Sequence, residues 1–104
     1  MSMGLTIEKE DVPKGSLIRV QGEVDLYSSP ELRKVILKTI PSTDGEMAID
    51  LSGVTYIDSS GVATLVEGLR SARENGMKFT LVAPSQAVTQ VLELARLDSV
   101  FEVR

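Results

Sequence analysis

Residues 56–66, YIDSSGVATLV, join the end of a strand to the start of a helix within a few positions, and this junction restricts the chain to folds that alternate the two. Tyr56 and Ile57 close an apolar run, Asp58-Ser59-Ser60-Gly61 turns a corner, and a helix with small first residues follows. Asp and Ser at such a corner are helix-start chemistry, because their oxygens accept from backbone N–H groups that the first turn leaves without partners. A hydroxyl is thereby placed at a helix N-terminus, where free N–H groups and the helix dipole favour an added negative charge.

Taken in order, Leu5 to Lys9 alternates weakly and predicts a short edge strand. Pro13-Lys14-Gly15 breaks it, and Ser16 to Val20 resumes as a second strand joined by a hairpin. In the following QGEVDLY, Gly22 permits a bulge, and Glu23 and Asp25 flank one core candidate, Val24. Ser28 or Ser29 as cap, Pro30 at the first helical position and Glu31 in the first turn predict a helix whose core stripe is Leu32, Val35, Ile36 and Ile40. Met47 to Leu51 is apolar enough for a central parallel strand, and Ser52-Gly53-Val54-Thr55 reads as a turn. The helix after Asp58 buries Val62, Leu65, Val66, Leu69 and Ala72 and stops at Asn75-Gly76. Lys78 to Ala83 is another strand, Pro84-Ser85 opens a third helix with Val88, Val91, Leu92 and Ala95 inward, and Val100 to Val103 is a last strand. The order β-β-α-β-α-β-α-β predicts one α/β domain over residues 1–104, with a mixed, mostly parallel sheet and helices packed against it.

Composition narrows the chemistry. A chain of 104 residues buries roughly 60 to 65% of its unfolded surface, enough for one modest core. It has no cysteine and no histidine, which removes disulfides, the commonest metal ligands and the commonest general base. The net charge of -4 comes without a basic run, so nucleic acid and anionic lipid have no footprint. No glycine-rich nucleotide loop is present and no apolar run approaches the ~18 residues of a membrane span. Neither a signal peptide nor an anchor is expected, and a cytoplasmic, non-enzymatic protein without cofactor or metal is.

Three constellations remain. Asp58-Ser59-Ser60-Gly61 is either a plain helix cap or a corner uncrowded enough for an external enzyme to reach Ser59. Glu23 and Asp25 are either solvated turn carboxylates or, if the sheet sets their loop beside the Ser59 corner, part of one acidic patch containing a hydroxyl. Gly61, Thr64, Gly68 and Ser71 form an almost side-chain-free helix face, either simply exposed or a flat surface for a partner's backbone, with Glu67 and Arg70 around it. Glycine within a helix costs on the order of 1 kcal/mol, so Gly68 implies close approach by something.

Ile57-Asp58-Ser59-Ser60-Gly61-Val62, preceded by IDLSGVTY and followed by ATLV, resembles the STAS domain of bacterial anti-sigma factor antagonists. Gly22-Glu23-Val24-Asp25 resembles that family's Gly-Glu-(apolar)-Asp, and Ser29-Pro30-Glu31-Leu32 fits its first helix; the likeness runs from about residue 5 to 103. The resemblance implies partner switching: an unphosphorylated antagonist binds an anti-sigma factor that is also a serine kinase, ATP-dependent phosphorylation releases it, and a PP2C-type serine phosphatase restores the hydroxyl. Carried over, Ser59 is the phosphorylated residue, Glu23, Asp25, Asp58, Ser60, Gly61, Thr64 and Gly68 belong to the partner-binding surface, and Ser60 or Thr64 is open as a secondary site. The free chain is expected to be a monomer. A phosphorylation-independent scaffold or interaction module, using a face left barer where many members carry a further C-terminal helix, is the alternative.

Overall fold

The computed structural model describes residues 4–104. Its elements are β1 (Leu5–Val12), β2 (Gly15–Val24), α1 (Ser29–Thr39) with a short 3-10 turn at Ile40–Ser42, β3 (Glu46–Ile57), α2 (Ser59–Glu74), β4 (Lys78–Val82), α3 (Gln86–Leu94) and β5 (Glu102–Val103). The five strands lie side by side in chain order. β1 pairs antiparallel with β2 through a hairpin that closes at Val12 and Gly15, and every later pair is parallel. The expected edge position of the first strand, the central position of Met47–Leu51 and the order of elements all appear.

Alternation along the strands divides the sheet. Ile18 and Val20 of β2, Met47, Ile49 and Leu51 of β3, and Phe79 and Leu81 of β4 are buried. Residues between them carry a polar network: Arg19 with Glu10 at 2.7 Å, Arg104 with Glu46 at 3.0 Å, Lys78 with Glu102 at 3.2 Å, and the Thr80 hydroxyl donating to Glu46 at 2.9 Å. On the core side α1 contributes Leu32 and Ile36, the 3-10 turn after it Ile40, and α2 contributes Leu65, Leu69 and Ala72. The Arg33 guanidinium of α1 grips the Glu67 carboxylate of α2 with two bonds, of 2.5 and 2.8 Å, and clamps the two helices together at the surface.

Four expectations need correction. Ser52-Gly53-Val54-Thr55 is not a turn: β3 runs unbroken to Ile57, and two register irregularities against β2, between Arg19 and Gln21 and between Gly22 and Glu23, absorb its extra residues. The polar and glycine content there marks bulges in a continuing strand. The last strand is only Glu102–Val103, with Val100 in the preceding turn. Ala95 ends α3 in an exposed position and faces no core.

The fourth correction concerns α2. Gly61, Thr64 and Gly68 are buried, so they form no open docking face. A Cβ on Gly61 would stand 2.6 Å from Ile57 Cγ1 and 2.8 Å from Val24 Cγ1, and one on Gly68 would stand 3.0 Å from Ile36 and Phe79. What approaches these small residues is the rest of the core. They let α2 sit close to the sheet and to α1, and that closeness carries the Asp58 corner onto the ends of β2 and β3.

Candidate functional site

Because β2 and β3 are parallel, the loops that leave them emerge at the same end of the sheet. Val24 is in register with Ile57, and the Asp58 amide donates to the Val24 carbonyl at 3.1 Å. The Glu23–Asp25 segment and the Asp58–Ser59 corner are therefore neighbours.

Asp58 is the N-cap of α2 in extended conformation. Its Oδ1 accepts from the amides of Ser60 at 2.9 Å and Gly61 at 3.2 Å, while its carbonyl accepts from Val62 at 3.0 Å. Ser59 follows as the first helical residue and is exposed. Two amides expected to be free for an incoming anion are thus already held by a carboxylate. An added charge on Ser59 meets Asp58 one residue away, so the corner offers a hydroxyl without offering a ready-made anion cradle.

The β2–α1 loop is a closed hydrogen-bonded unit. Asp25 Oδ1 accepts from the amides of Tyr27 at 2.9 Å and Ser28 at 3.0 Å. The Ser28 hydroxyl accepts from the Asp25 amide at 2.9 Å and donates to the Glu23 carbonyl at 2.7 Å, and the Ser29 amide donates to the Asp25 carbonyl at 2.8 Å. Desolvation works to raise the Asp25 carboxyl, but the bonds from Ser28 and Tyr27 outweigh it and hold the group below its ordinary value. Ser28 is the N-cap of α1, yet its hydroxyl makes no cap bond; it secures the loop instead.

Of the sequence-predicted residues, Glu23, Asp25, Asp58, Ser59 and Ser60 gather at this end, with Ser59 exposed and the other four half-buried. Gly61, Thr64 and Gly68 lie beneath it in the core. The Thr64 hydroxyl is turned back onto the Ser60 carbonyl at 3.1 Å, which withdraws it from any external enzyme.

Three residues of this end escaped the sequence reading as site residues. Leu26 is 64% exposed, Tyr27 78% and Tyr56 49%. The signal for the first two was an apolar pair set between Asp25 and the helix-start residues Ser28-Ser29-Pro30, in a loop where nothing local buries them. A shallow groove also runs from Ser59 along α2 past Val62 and Val66 toward Leu97. Among the described residues no cluster of acidic, histidine or cysteine side chains is placed to hold a metal ion, and no helix is long and apolar enough to cross a membrane.

Comparison with known proteins agrees with this geometry. A family model described as Mlab, STAS domain, matches residues 7–102. An anti-sigma-B factor antagonist of Staphylococcus aureus is 27% identical over 101 residues, covering 97% of this chain and 94% of that protein. The crystal structure of an anti-sigma factor antagonist from Mycobacterium paratuberculosis superposes with a TM-score of 0.86 at 27% identity, covering 96% of this chain and 85% of that one. The anti-sigma factor antagonist SpoIIAA in its unphosphorylated form shares the fold, with a TM-score of 0.79 at 22% identity over 95% of this chain and 88% of that one. The chain belongs to the STAS domain family, which it shares with these antagonists.

Proposed function

We propose that this chain is an anti-sigma factor antagonist that works by partner switching, and that Ser59 is its switch residue. The observation that carries the reading is the exposed Ser59 hydroxyl at the first position of α2, beside an Asp58 whose carboxylate is committed to the helix cap. The unphosphorylated chain binds an anti-sigma factor with serine kinase activity. That kinase supplies ATP, Mg²⁺ and the catalytic carboxylate in trans, so the antagonist needs no base of its own. A PP2C-type phosphatase resets the switch.

The energetics follow from charge. Phosphorylation adds about 1.5 to 2 negative charges at neutral pH. Residues 20–32 and 51–69, which build this end, contain no Lys or Arg, and Arg70 is the one cation lining the groove that begins at Ser59, so the added charge is at most partly offset within the chain. A dianion carried into the interface unpaired costs several kcal/mol, and about 3 to 4 kcal/mol weakens binding some hundredfold or more. Repulsion at the contact releases the partner, with no rearrangement of the sheet.

The test is release. Ser59→Ala binds the kinase and stays bound when ATP is added, whereas wild type dissociates. If a folded Ser59→Ala fails to bind, the hydroxyl is itself a contact and the charge-repulsion account fails. If wild type remains bound after ATP, the chain is a phosphorylation-independent interaction module.

A further inference from the structure

Among the described residues six large apolar side chains are exposed, and three of them, Leu26, Tyr27 and Tyr56, stand at the end of the sheet that carries Ser59. Tyr56 is opposite Glu23 in the β2–β3 register, and Leu26 and Tyr27 follow Asp25 in the adjoining loop. The exposed parts of these side chains add nothing to the hydrophobic stabilisation of the free chain, while tyrosines are favoured anchors at interfaces because they bury much area with few rotatable bonds.

The loop that presents them does not need ordering on binding. Asp25 and Ser28 exchange bonds in both directions, Asp25 fixes the Tyr27 amide, and Ser28 ties back to Glu23. A surface rigid before contact avoids the entropy cost of ordering a loop.

We infer that Leu26, Tyr27 and Tyr56 are the apolar anchors by which the serine kinase of the proposed function docks, and that Asp25 is a positioning residue that holds the Leu26–Tyr27 loop. The occupant follows from charge and continuity. The anchors lie at the end of the sheet that carries Ser59, which the kinase has to reach. The charged residues of the segments that hold them, Glu23, Asp25 and Asp58, are acidic, with Arg70 entering only along the α2 groove, so the matching surface is an apolar pocket rimmed by Lys or Arg. The inference rests on the antagonist reading and adds to it the residues that supply affinity.

The experiment measures binding of the unphosphorylated chain to its cognate anti-sigma kinase by calorimetry, with folding of each variant checked by thermal melting. Tyr27→Ala weakens binding at least about tenfold, and Leu26→Ala and Tyr56→Ala each weaken it severalfold. Leu26→Ala and Tyr27→Ala melt like wild type because the side chains are exposed, while Tyr56→Ala, at a half-exposed position of β3, melts slightly lower but stays folded. Asp25→Asn keeps near wild-type affinity, since its Oδ1 still accepts from Tyr27 and Ser28; Asp25→Ala loses affinity as the loop loosens. Wild-type binding by all three anchor variants overturns the inference. Equal loss in Asp25→Asn and Asp25→Ala overturns the positioning role and makes the Asp25 charge a direct contact. A wild-type chain that binds no anti-sigma kinase overturns the antagonist reading itself, an outcome distinct from the other two because in both of those the wild-type chain binds.

Discussion

The Asp58 amide donates to the Val24 carbonyl at 3.1 Å, and this bond joins the corner that carries Ser59 to the strand end that carries Glu23 and Asp25. It continues the β2–β3 ladder one step past Ile57. The serine corner and the acidic loop are consequently parts of one surface set by the sheet.

Loss of the Asp58 side chain should be felt in stability before binding. Asp58→Ala leaves the Ser60 and Gly61 amides without their acceptor and costs about 0.5 to 2 kcal/mol. For a domain of this size that is roughly a 2 to 16 °C fall in melting temperature, with Asp58→Asn closer to wild type.

Gly61→Ala discriminates between a docking face and a core contact. Alanine is the better helix former by about 1 kcal/mol, so at an open face the change would stabilise. Here the new Cβ falls 2.6 Å from Ile57 Cγ1, and we expect a net loss of about 1 to 3 kcal/mol in denaturant unfolding.

Arg96 sits at φ 59° just past α3, where its amide bonds Glu93 and the Leu97 amide returns to Leu92. This left-handed position strains any residue with a Cβ. Arg96→Gly removes the strain, partly offset by the greater freedom of glycine in the unfolded chain. A gain of about 0.5 kcal/mol in unfolding free energy is expected; a loss would mean that the Arg96 side chain makes a stabilising contact.

Acid should destabilise the fold through three carboxyls. Desolvation raises Glu46, but bonds from Thr80 and Arg104 and the charges of Arg104 and Lys78 outweigh it and hold the group down. Glu67 is lowered chiefly by its bond to Arg33, and Asp25 by the loop bonds that overcome desolvation. A carboxyl depressed in the folded state contributes stability that is complete above its unfolded value, 4.5 for Glu and 3.8 for Asp, and is lost as pH falls through the lower folded value. Melting temperatures measured from neutral pH down to about pH 3 should fall through that window, and Glu46→Gln should make the acid limb shallower.

The fold was largely legible because its signals are local. Apolar runs such as MAIDL and KFTLV, Ser29-Pro30-Glu31 at a helix start and Asn75-Gly76 at a helix stop each belong to one element. Less legible were features decided by neighbours. Ser52-Gly53-Val54-Thr55 has turn composition, and only pairing with β2 keeps it in a bulged strand. Gly61 and Gly68 are small because Ile57, Val24, Ile36 and Phe79 press on them, and a helix face made of small residues reads the same whether it is bare or packed. At the site, the Asp58–Ser59 pair followed from cap chemistry, whereas the Asp25–Ser28 bonds that hold Leu26 and Tyr27 outward require the folded loop.

The most direct test of the account is phosphate mapping. The wild-type chain and Ser59→Ala are each incubated with the cognate anti-sigma kinase and ATP and analysed by intact-mass and peptide mass spectrometry. Wild type should gain one phosphate, located at Ser59, with none at the buried Thr64 and none on Ser59→Ala. Phosphate at another residue, or no incorporation from a kinase shown to be active, would contradict it.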